Sequence, residues 1–106
     1  MTRIIYLVVI TTMLCLSTGS AHAQGAGIEW ETLNKEVMEL YRTGQYDRAV
    51  PVAEKALKVA EQNVGPDHPD VATSLENIAE LYRVTNRPAE AEKLEARVKK
   101  IRAIKR

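Results

Sequence analysis

The sequence predicts an all-α fold in which four helices form two stacked hairpins. Helix-favouring Ala, Glu, Leu, Lys and Arg dominate the chain after residue 23, whereas strand-favouring residues are scarce and Phe is absent. A segment recurs at a fixed spacing, and Gly, Pro and Asn stand between the helical patterns. With 45% hydrophobic and 27% charged residues, the composition is typical of one soluble globular domain and excludes disordered or collagen-like classes.

Residues 1–23 are predicted to be a secretory signal peptide. One early positive charge precedes an apolar run over 4–16, and Ala21 and Ala23 are the small residues that a signal peptidase requires. Thirteen apolar residues span about 20 Å as a helix, less than the roughly 30 Å of a bilayer core. We therefore expect cleavage near Ala23, a mature domain over 24–106, and a periplasmic or secreted location. Retention of the segment as an anchor is the alternative.

An internal repeat organises the mature chain. LYRTGQYDRAVPVAEKAL, from Leu40, aligns with LYRVTNRPAEAEKLEARV, from Leu81. The first repeat has one residue fewer between Tyr41 and Gly44, so the alignment pairs Ala49 with Ala91, Val52 with Leu94, and Ala56 with Val98, each at a spacing of forty-two. This period is typical of stacked helical hairpins, so we predict repeat one over about 28–63 and repeat two over about 70–104.

Turn residues and apolar periodicity place the four helices. They are expected over about 28–43, 46–63, 70–85 and 89–104. Gly44 ends the first helix in a left-handed conformation, and Asn86 is expected to take the same backbone angle after the third. The predicted core positions are Trp30, Leu33, Val37 and Leu40, then Ala49, Ala53, Ala56 and Ala60, then Leu75, Ile78, Ala79 and Tyr82, and finally Leu94, Val98, Ile101 and Ile104.

The string GPDHPDVATSLENIAELYR, from Gly65 to Arg83, resembles the linker and first helix of the forty-two-residue tetratricopeptide repeat found in kinesin light chains. The resemblance covers about 30–98. It implies a short right-handed α-solenoid in which the last helix is a cap. Three departures mark the second repeat as degenerate: Asn86 and Pro88 replace the usual Gly and Tyr, and Glu95 replaces an aromatic residue.

The resemblance implies a protein-interaction module, an adaptor or scaffold, that holds a partner peptide or protein on a concave surface formed by the first helix of each hairpin. The implied residues are Thr32, Lys35, Glu36, Glu39 and Arg42 in the first hairpin, and Thr73, Glu76, Asn77, Glu80 and Arg83 in the second. The resemblance makes Asn77 the favoured contact, because related repeats often have Asn there to hydrogen-bond the backbone of a bound peptide, and its side chain both donates and accepts hydrogen bonds. The alternative interpretation is that these residues form only the solvated face of two helices.

No constellation of residues indicates catalysis, a metal or a cofactor. His68, between Asp67 and Asp70, is interpreted as part of a turn and helix cap, because three adjacent loop groups lack the geometry of a closed metal site. The only serine after the signal segment, Ser74, lies within a helix, and the single cysteine lies in the signal segment. We therefore predict that the protein is not an enzyme.

Charge is distributed unevenly along the chain. Residues 24–92 contain thirteen acidic and seven basic residues, whereas residues 93–106 contain seven basic and one acidic. The basic last helix is interpreted as a solvated cap. Binding to an anionic membrane surface is an alternative, and nucleic acid is not expected after export.

Two repeats are fewer than the three that such arrays usually need for stability. We therefore hypothesise that Trp30, Leu33 and the outer side of the first helix pair with a client protein or with another subunit. In the second case the chain forms a homo-oligomer through the first helix. A self-associating structural unit is the corresponding alternative function.

Overall fold

The structure, a computed structural model, describes residues 25–105. The helices are α1 (Gly27–Arg42), α2 (Tyr46–Val64), α3 (Pro69–Val84) and α4 (Pro88–Arg102). No strand is present among the described residues, so the all-α prediction is confirmed. The predicted signal peptide, residues 1–23, lies outside the described residues.

The helices form two antiparallel hairpins that stack on each other. α1 packs along α2, α3 packs along α4, and α2 and α3 share the interface between the hairpins, while α1 contacts α3 along one edge. Each helix thus packs mainly on its neighbours in sequence, which is the arrangement of a short α-solenoid. The two hairpins predicted from the internal repeat are confirmed.

Left-handed residues end the first helix of each hairpin. Gly44 has a φ of 76° and Asn86 a φ of 65°, and Asn86 is the only residue with positive φ, other than glycine, in the described part of the chain. Asn adopts this conformation at lower cost than most residues because its short polar side chain can hydrogen-bond locally. The prediction that Asn86 replaces the turn glycine of the first hairpin is confirmed.

These turns also fix the true register of the repeat. The carbonyl that accepts the closing hydrogen bond belongs to Leu40 in α1 and to Tyr82 in α3, at 2.8 and 2.7 Å from the donor nitrogen. Leu40 is therefore equivalent to Tyr82, and Tyr41 to Arg83, at a spacing of forty-two. The Leu-Tyr-Arg strings that drew attention to the repeat lie one residue out of structural register.

A stripe of alanines on α2 forms the centre of the core. Ala49, Ala53, Ala56 and Ala60 are 0 to 2% exposed, and all but Ala56 share buried clusters with Leu75, Ile78 and Leu81 of α3. Methyl side chains allow the two helices to approach closely, as predicted. On α4 the buried residues are Ala91, Val98 and Ile101, whereas Ile104 lies beyond the helix end and is 43% exposed. Its assignment to the core was therefore wrong.

The residues before α1 are fastened to both hairpins. Ala26 is 1% exposed; its amide donates to Asp70 Oδ2 at 3.0 Å, and its carbonyl accepts from Asn63 Nδ2 at 2.6 Å. Gly25 has a φ of 88°, and a Cβ atom there would lie 2.7 Å from the same Asp70 oxygen. The start of the described chain thus ties the end of α2 to the start of α3.

Charged residues line the groove between α3 and α4. In the first hairpin α3 fills the equivalent groove and covers Ala53, Leu57 and Ala60 of α2. Forty-two residues later the chain has Glu95, Lys99 and Arg102, which line an open groove of about 630 Å³. Two ion pairs bridge this groove from α3 to α4, Arg83 with Glu95 and Glu76 with Arg102. α4 therefore caps the solenoid, as predicted.

Restoring the residues of the first hairpin is expected to open the cap. The triple variant Glu95→Ala, Lys99→Leu, Arg102→Ala exposes an apolar groove in which a helix of a second molecule can stack. Burying one leucine side chain contributes about 1.5 to 3 kcal/mol, so the dissociation constant for self-association should fall at least about tenfold. Light scattering over a concentration series measures this change. Glu92→Ala, Lys93→Leu, Lys100→Ala, on exposed positions of the same helix, is the matched control and should behave like the unaltered chain.

Candidate functional site

The seam between α1 and α3 is bridged by polar side chains along its length. Because α1 and α3 are the first helices of their hairpins, this seam lies on the surface that the sequence predicted to be concave. Three side-chain hydrogen bonds cross it: Trp30 Nε1 to Ser74 Oγ at 2.7 Å, Asn77 Nδ2 to Asn34 Oδ1 at 3.5 Å, and Tyr41 Oη to Glu80 Oε1 at 3.0 Å. The contacts hold the two helices in a fixed relation.

A small groove of about 190 Å³ opens within the seam. It is lined by Val37, Met38 and Tyr41 from α1 and by Asn77, Glu80 and Leu81 from α3. Val37 and Leu81 are almost fully buried, whereas Met38 is 56% exposed. The groove therefore combines an aliphatic floor, an exposed flexible thioether and a polar rim, which is the composition expected of a site for another molecule's side chain.

The structure divides the predicted residues of α3 between two surfaces. Asn77 lines the seam groove, Glu80 lines both the seam groove and the terminal groove, and Glu76 and Arg83 form ion pairs with α4 across the terminal groove. Thr73 donates its hydroxyl hydrogen to the carbonyl of Pro69 at 3.3 Å. Only two of the five residues predicted in α3 thus face α1.

The predicted residues of α1 are less well placed. Lys35, Glu39 and Arg42 line a shallow concavity of about 720 Å³ beside the groove, where the last two form an ion pair at 2.7 Å. Thr32 donates to the carbonyl of Ile28 at 2.9 Å and is exposed, as is Glu36.

The register of the repeat explains this displacement. At a spacing of forty-two, the counterparts of Thr73, Glu76, Asn77, Glu80 and Arg83 are Glu31, Asn34, Lys35, Met38 and Tyr41. Of the residues predicted in α1, only Lys35 belongs to this set. Sequence reasoning therefore missed Met38 and Tyr41, although the spacing of Ala49 and Ala91 contained the signal that identifies them.

Trp30 packs against the core, as its place on the apolar face predicted, and not on an outer face. Its indole nitrogen donates to Ser74 on α3, and its ring packs against the buried cluster that contains Ala60 and Leu75. The prediction that Trp30 lies on an outer face available to another subunit was wrong. The reason is that α1 must present this large side chain to α3 to close the seam.

Electrostatics support the contact between Tyr41 and Glu80. The pKa of Tyr41 is raised, chiefly because its hydroxyl donates to the Glu80 carboxylate, with smaller contributions from burial and from the charge of Glu80. The Tyr41 ring also meets Tyr46 of α2 edge-on, with ring centroids 5.2 Å apart at 62°. Tyr41 is thus held from both sides.

The remaining polar features have structural roles. His68 Nδ1 accepts the amide hydrogen of Asp70 at 3.0 Å and caps α3, as expected. No group of potential metal ligands occurs among residues 25–105. In the same range no helix combines the length and apolar character needed to cross a membrane. On α4, Arg97 pairs with Glu61 at 2.8 Å, and the apolar side chains of this helix are used in the core.

Comparison with protein families places this architecture. Residues 37–103, more than half of the chain, match the family model of the tetratricopeptide repeat. The chain belongs to the tetratricopeptide repeat family. Repeats of this family generally mediate protein–protein interactions and are non-catalytic, and the first helices of successive repeats, here α1 and α3, carry the candidate groove.

A curated relative resembles part of this tetratricopeptide repeat chain. Over 60 residues this chain is 35% identical to that relative, the secreted RxLR effector protein RXLR-C07 of Plasmopara halstedii. The alignment covers 57% of the chain and 18% of the effector. The chain thus spans less than a fifth of the length of this relative.

Replacing Glu80 is expected to lower the pKa of Tyr41. In Glu80→Gln the amide oxygen still accepts the hydrogen bond but carries no negative charge, so the pKa should move toward the ordinary value of about 10. A raised tyrosine pKa means that the neutral hydroxyl is favoured in the folded state. The contribution of Tyr41 to the free energy of unfolding is therefore present at neutral pH and is lost as the pH rises through the pKa of the folded state. An NMR titration of the assigned tyrosine ring carbons measures the shift. Tyr82, whose pKa is raised mainly by burial, is the internal control and should not change.

Proposed function

We propose that this tetratricopeptide repeat chain is an exported protein-interaction module that holds a segment of a partner protein along the seam between α1 and α3. The observation that carries the proposal is the exposed Met38, which lies between buried Val37 and Leu81 at the opening of the groove. When a partner covers an exposed apolar side chain in a concave, polar-rimmed site, the burial of its surface contributes favourably to the free energy of binding. The surrounding polar groups then fix the orientation of that partner.

Asn77 is suited to contact the backbone of the bound segment. It uses one amide hydrogen in its contact with Asn34, at 3.5 Å, and its side chain makes no other hydrogen bond among residues 25–105. Its second amide hydrogen and its oxygen can therefore pair with a carbonyl and an amide of the partner. This role is consistent with the residue's position on the rim of the groove.

The spacing of the hairpins supports assignment to the forty-two-residue variety that resembles kinesin light chains. Equivalent turn residues, Gly44 and Asn86, lie forty-two positions apart, as do the buried Ala49 and Ala91. The same length separates Leu40 from Tyr82 in the closing hydrogen bonds. The spacing is therefore forty-two in the first helix, the turn and the second helix of the hairpin.

Self-association through α1 is less well supported. α3 packs on the first hairpin through the buried Val71, Leu75, Ile78 and Leu81, whose counterparts on α1 are Glu29, Leu33, Glu36 and Glu39. The three glutamates are exposed. Stacking this face on another repeat would remove three carboxylates from water with only Leu33, of these four positions, as apolar compensation, which is unfavourable. A partner at the groove avoids that cost.

Export is supported by the composition of residues 1–23 and by the similarity to a relative named as a secreted protein. The proposed location is the periplasm or the extracellular space. Partner recognition would then take place outside the cytoplasm, and the mature chain would carry no cysteine, because Cys15 lies in the signal segment.

Met38 should dominate partner binding. Peptides selected from a random display library on the full chain are tested by calorimetry against Met38→Ala, which we expect to weaken binding at least about tenfold by removing the apolar contact. The matched control is Ile28→Ala, because Ile28 is 78% exposed on the same helix but does not line the groove. Its affinity should stay within about twofold of the unaltered chain. Equal losses in both variants would contradict the location of the site.

Export should leave a defined N-terminus. Intact-mass measurement of the protein recovered from the envelope or medium of the producing cells should give the mass of residues 24–106. Replacing Ala21 and Ala23 by Asp removes the small residues that a signal peptidase reads, so the longer chain should then accumulate. A full-length chain in the cytoplasm of cells that make the unaltered protein would contradict export.

A further inference from the structure

The shape of the seam groove limits what it can bind. A volume of about 190 Å³ suits one long side chain rather than a helix or a folded element. The floor is aliphatic along its length, with Val37 and Leu81 beneath Met38. A side chain with an extended methylene stem would cover this floor, and the flexible Met38 can adjust around it.

The groove carries a single charge. Among its lining residues only Glu80 carries a formal charge, and none of the ion pairs in residues 25–105 includes it. By contrast, Glu76 and Glu95 on the neighbouring terminal groove, which Glu80 also lines, are both paired with arginines. The Glu80 carboxylate thus has no ion-pair contact of its own, and Arg83, which interacts with it at longer range, is paired with Glu95.

Tyr41 positions this carboxylate and adds a second feature. Its hydroxyl donates to Glu80 Oε1 at 3.0 Å, so the other carboxylate oxygen keeps its capacity to accept. The ring lines the same groove, and an aromatic face attracts a cation electrostatically. Nearby, Arg42 is neutralised by Glu39 at 2.7 Å and therefore opposes a bound cation only weakly.

We propose that the groove selects a lysine or arginine side chain from the partner segment, with its methylene stem on Met38 and Leu81 and its cationic end at Glu80 and Tyr41. The inference rests on the proposed function, since it specifies the partner for the same seam. Charge on a larger scale agrees with it, because residues 24–92 contain six more acidic than basic residues and attract a basic segment. The favoured partner is therefore an extended segment that presents a basic residue.

Selection from a random peptide display library tests the inference. The full chain and its Glu80→Gln variant are used as baits under the same conditions, and the selected peptides are sequenced. The unaltered chain should enrich lysine or arginine at one position of the peptide, and Glu80→Gln should lose this enrichment while still retaining peptides. Persistence of the basic residue with Glu80→Gln would overturn the proposal.

A double-mutant cycle locates the contact. One selected peptide is compared with its Lys→Gln or Arg→Gln version on both baits by calorimetry. Each single change should weaken binding about tenfold, and the two together should cost little more than either alone, because they remove one interaction. Glu76→Gln is the matched control, since that carboxylate is paired with Arg102, and it should leave the affinity within about twofold.

The outcomes separate this inference from the function on which it rests. Peptides that bind and lose affinity with Met38→Ala, but show no basic preference, would support the proposed function and overturn the basic side chain. Failure of the folded chain to retain any peptide would overturn both. Circular dichroism of each variant establishes that it has the helix content of the unaltered chain before binding is measured.

Discussion

The close approach of α2 and α3 is the contact on which the rest of the structure depends. α2 presents alanines at 0 to 2% exposure beneath Leu75, Ile78 and Leu81, so the second hairpin packs closely against the first. This approach brings α3 beside α1 and creates the seam. Larger side chains on α2 would overpack the interface, at a typical cost of about 1 to 3 kcal/mol, and would separate the two helices that form the groove.

Charged side chains replace apolar ones outside the interface between α2 and α3. The positions that are alanine or leucine in the α2 groove are Glu95, Lys99 and Arg102 in the α4 groove, and the outer face of α1 carries glutamates where α3 carries apolar residues. Such exposed charges contribute little to stability as pairs, but they are costly to bury in a stacked interface. The same hairpin geometry therefore packs tightly between α2 and α3, whereas charged side chains replace most of the apolar ones at the equivalent positions of α1 and α4.

The sequence was sufficient to predict the helices and most of the core, because those features follow from local chemistry. Gly44 and Asn86 define helix ends through their backbone freedom, and the alanine spacing on α2 defines a face. The candidate site was harder to predict. The matching Leu-Tyr-Arg strings suggested a register that the turn hydrogen bonds show to be one residue off, so Met38 and Tyr41 were missed. The carbonyl that accepts the closing hydrogen bond of each turn therefore defines the repeat register more reliably than the matching tripeptides do.

The groove that we propose for recognition uses residues that the cap does not. On α3, Glu76 and Arg83 are paired with α4 and belong to the cap, whereas Glu80 accepts a hydrogen bond from Tyr41 and forms no ion pair among the described residues. On α1, Met38 remains exposed although its neighbour Val37 is buried. In the proposed complex an amphipathic side chain from the partner, with an aliphatic stem and a positive end, covers Met38 and reaches the Glu80 carboxylate at the same time.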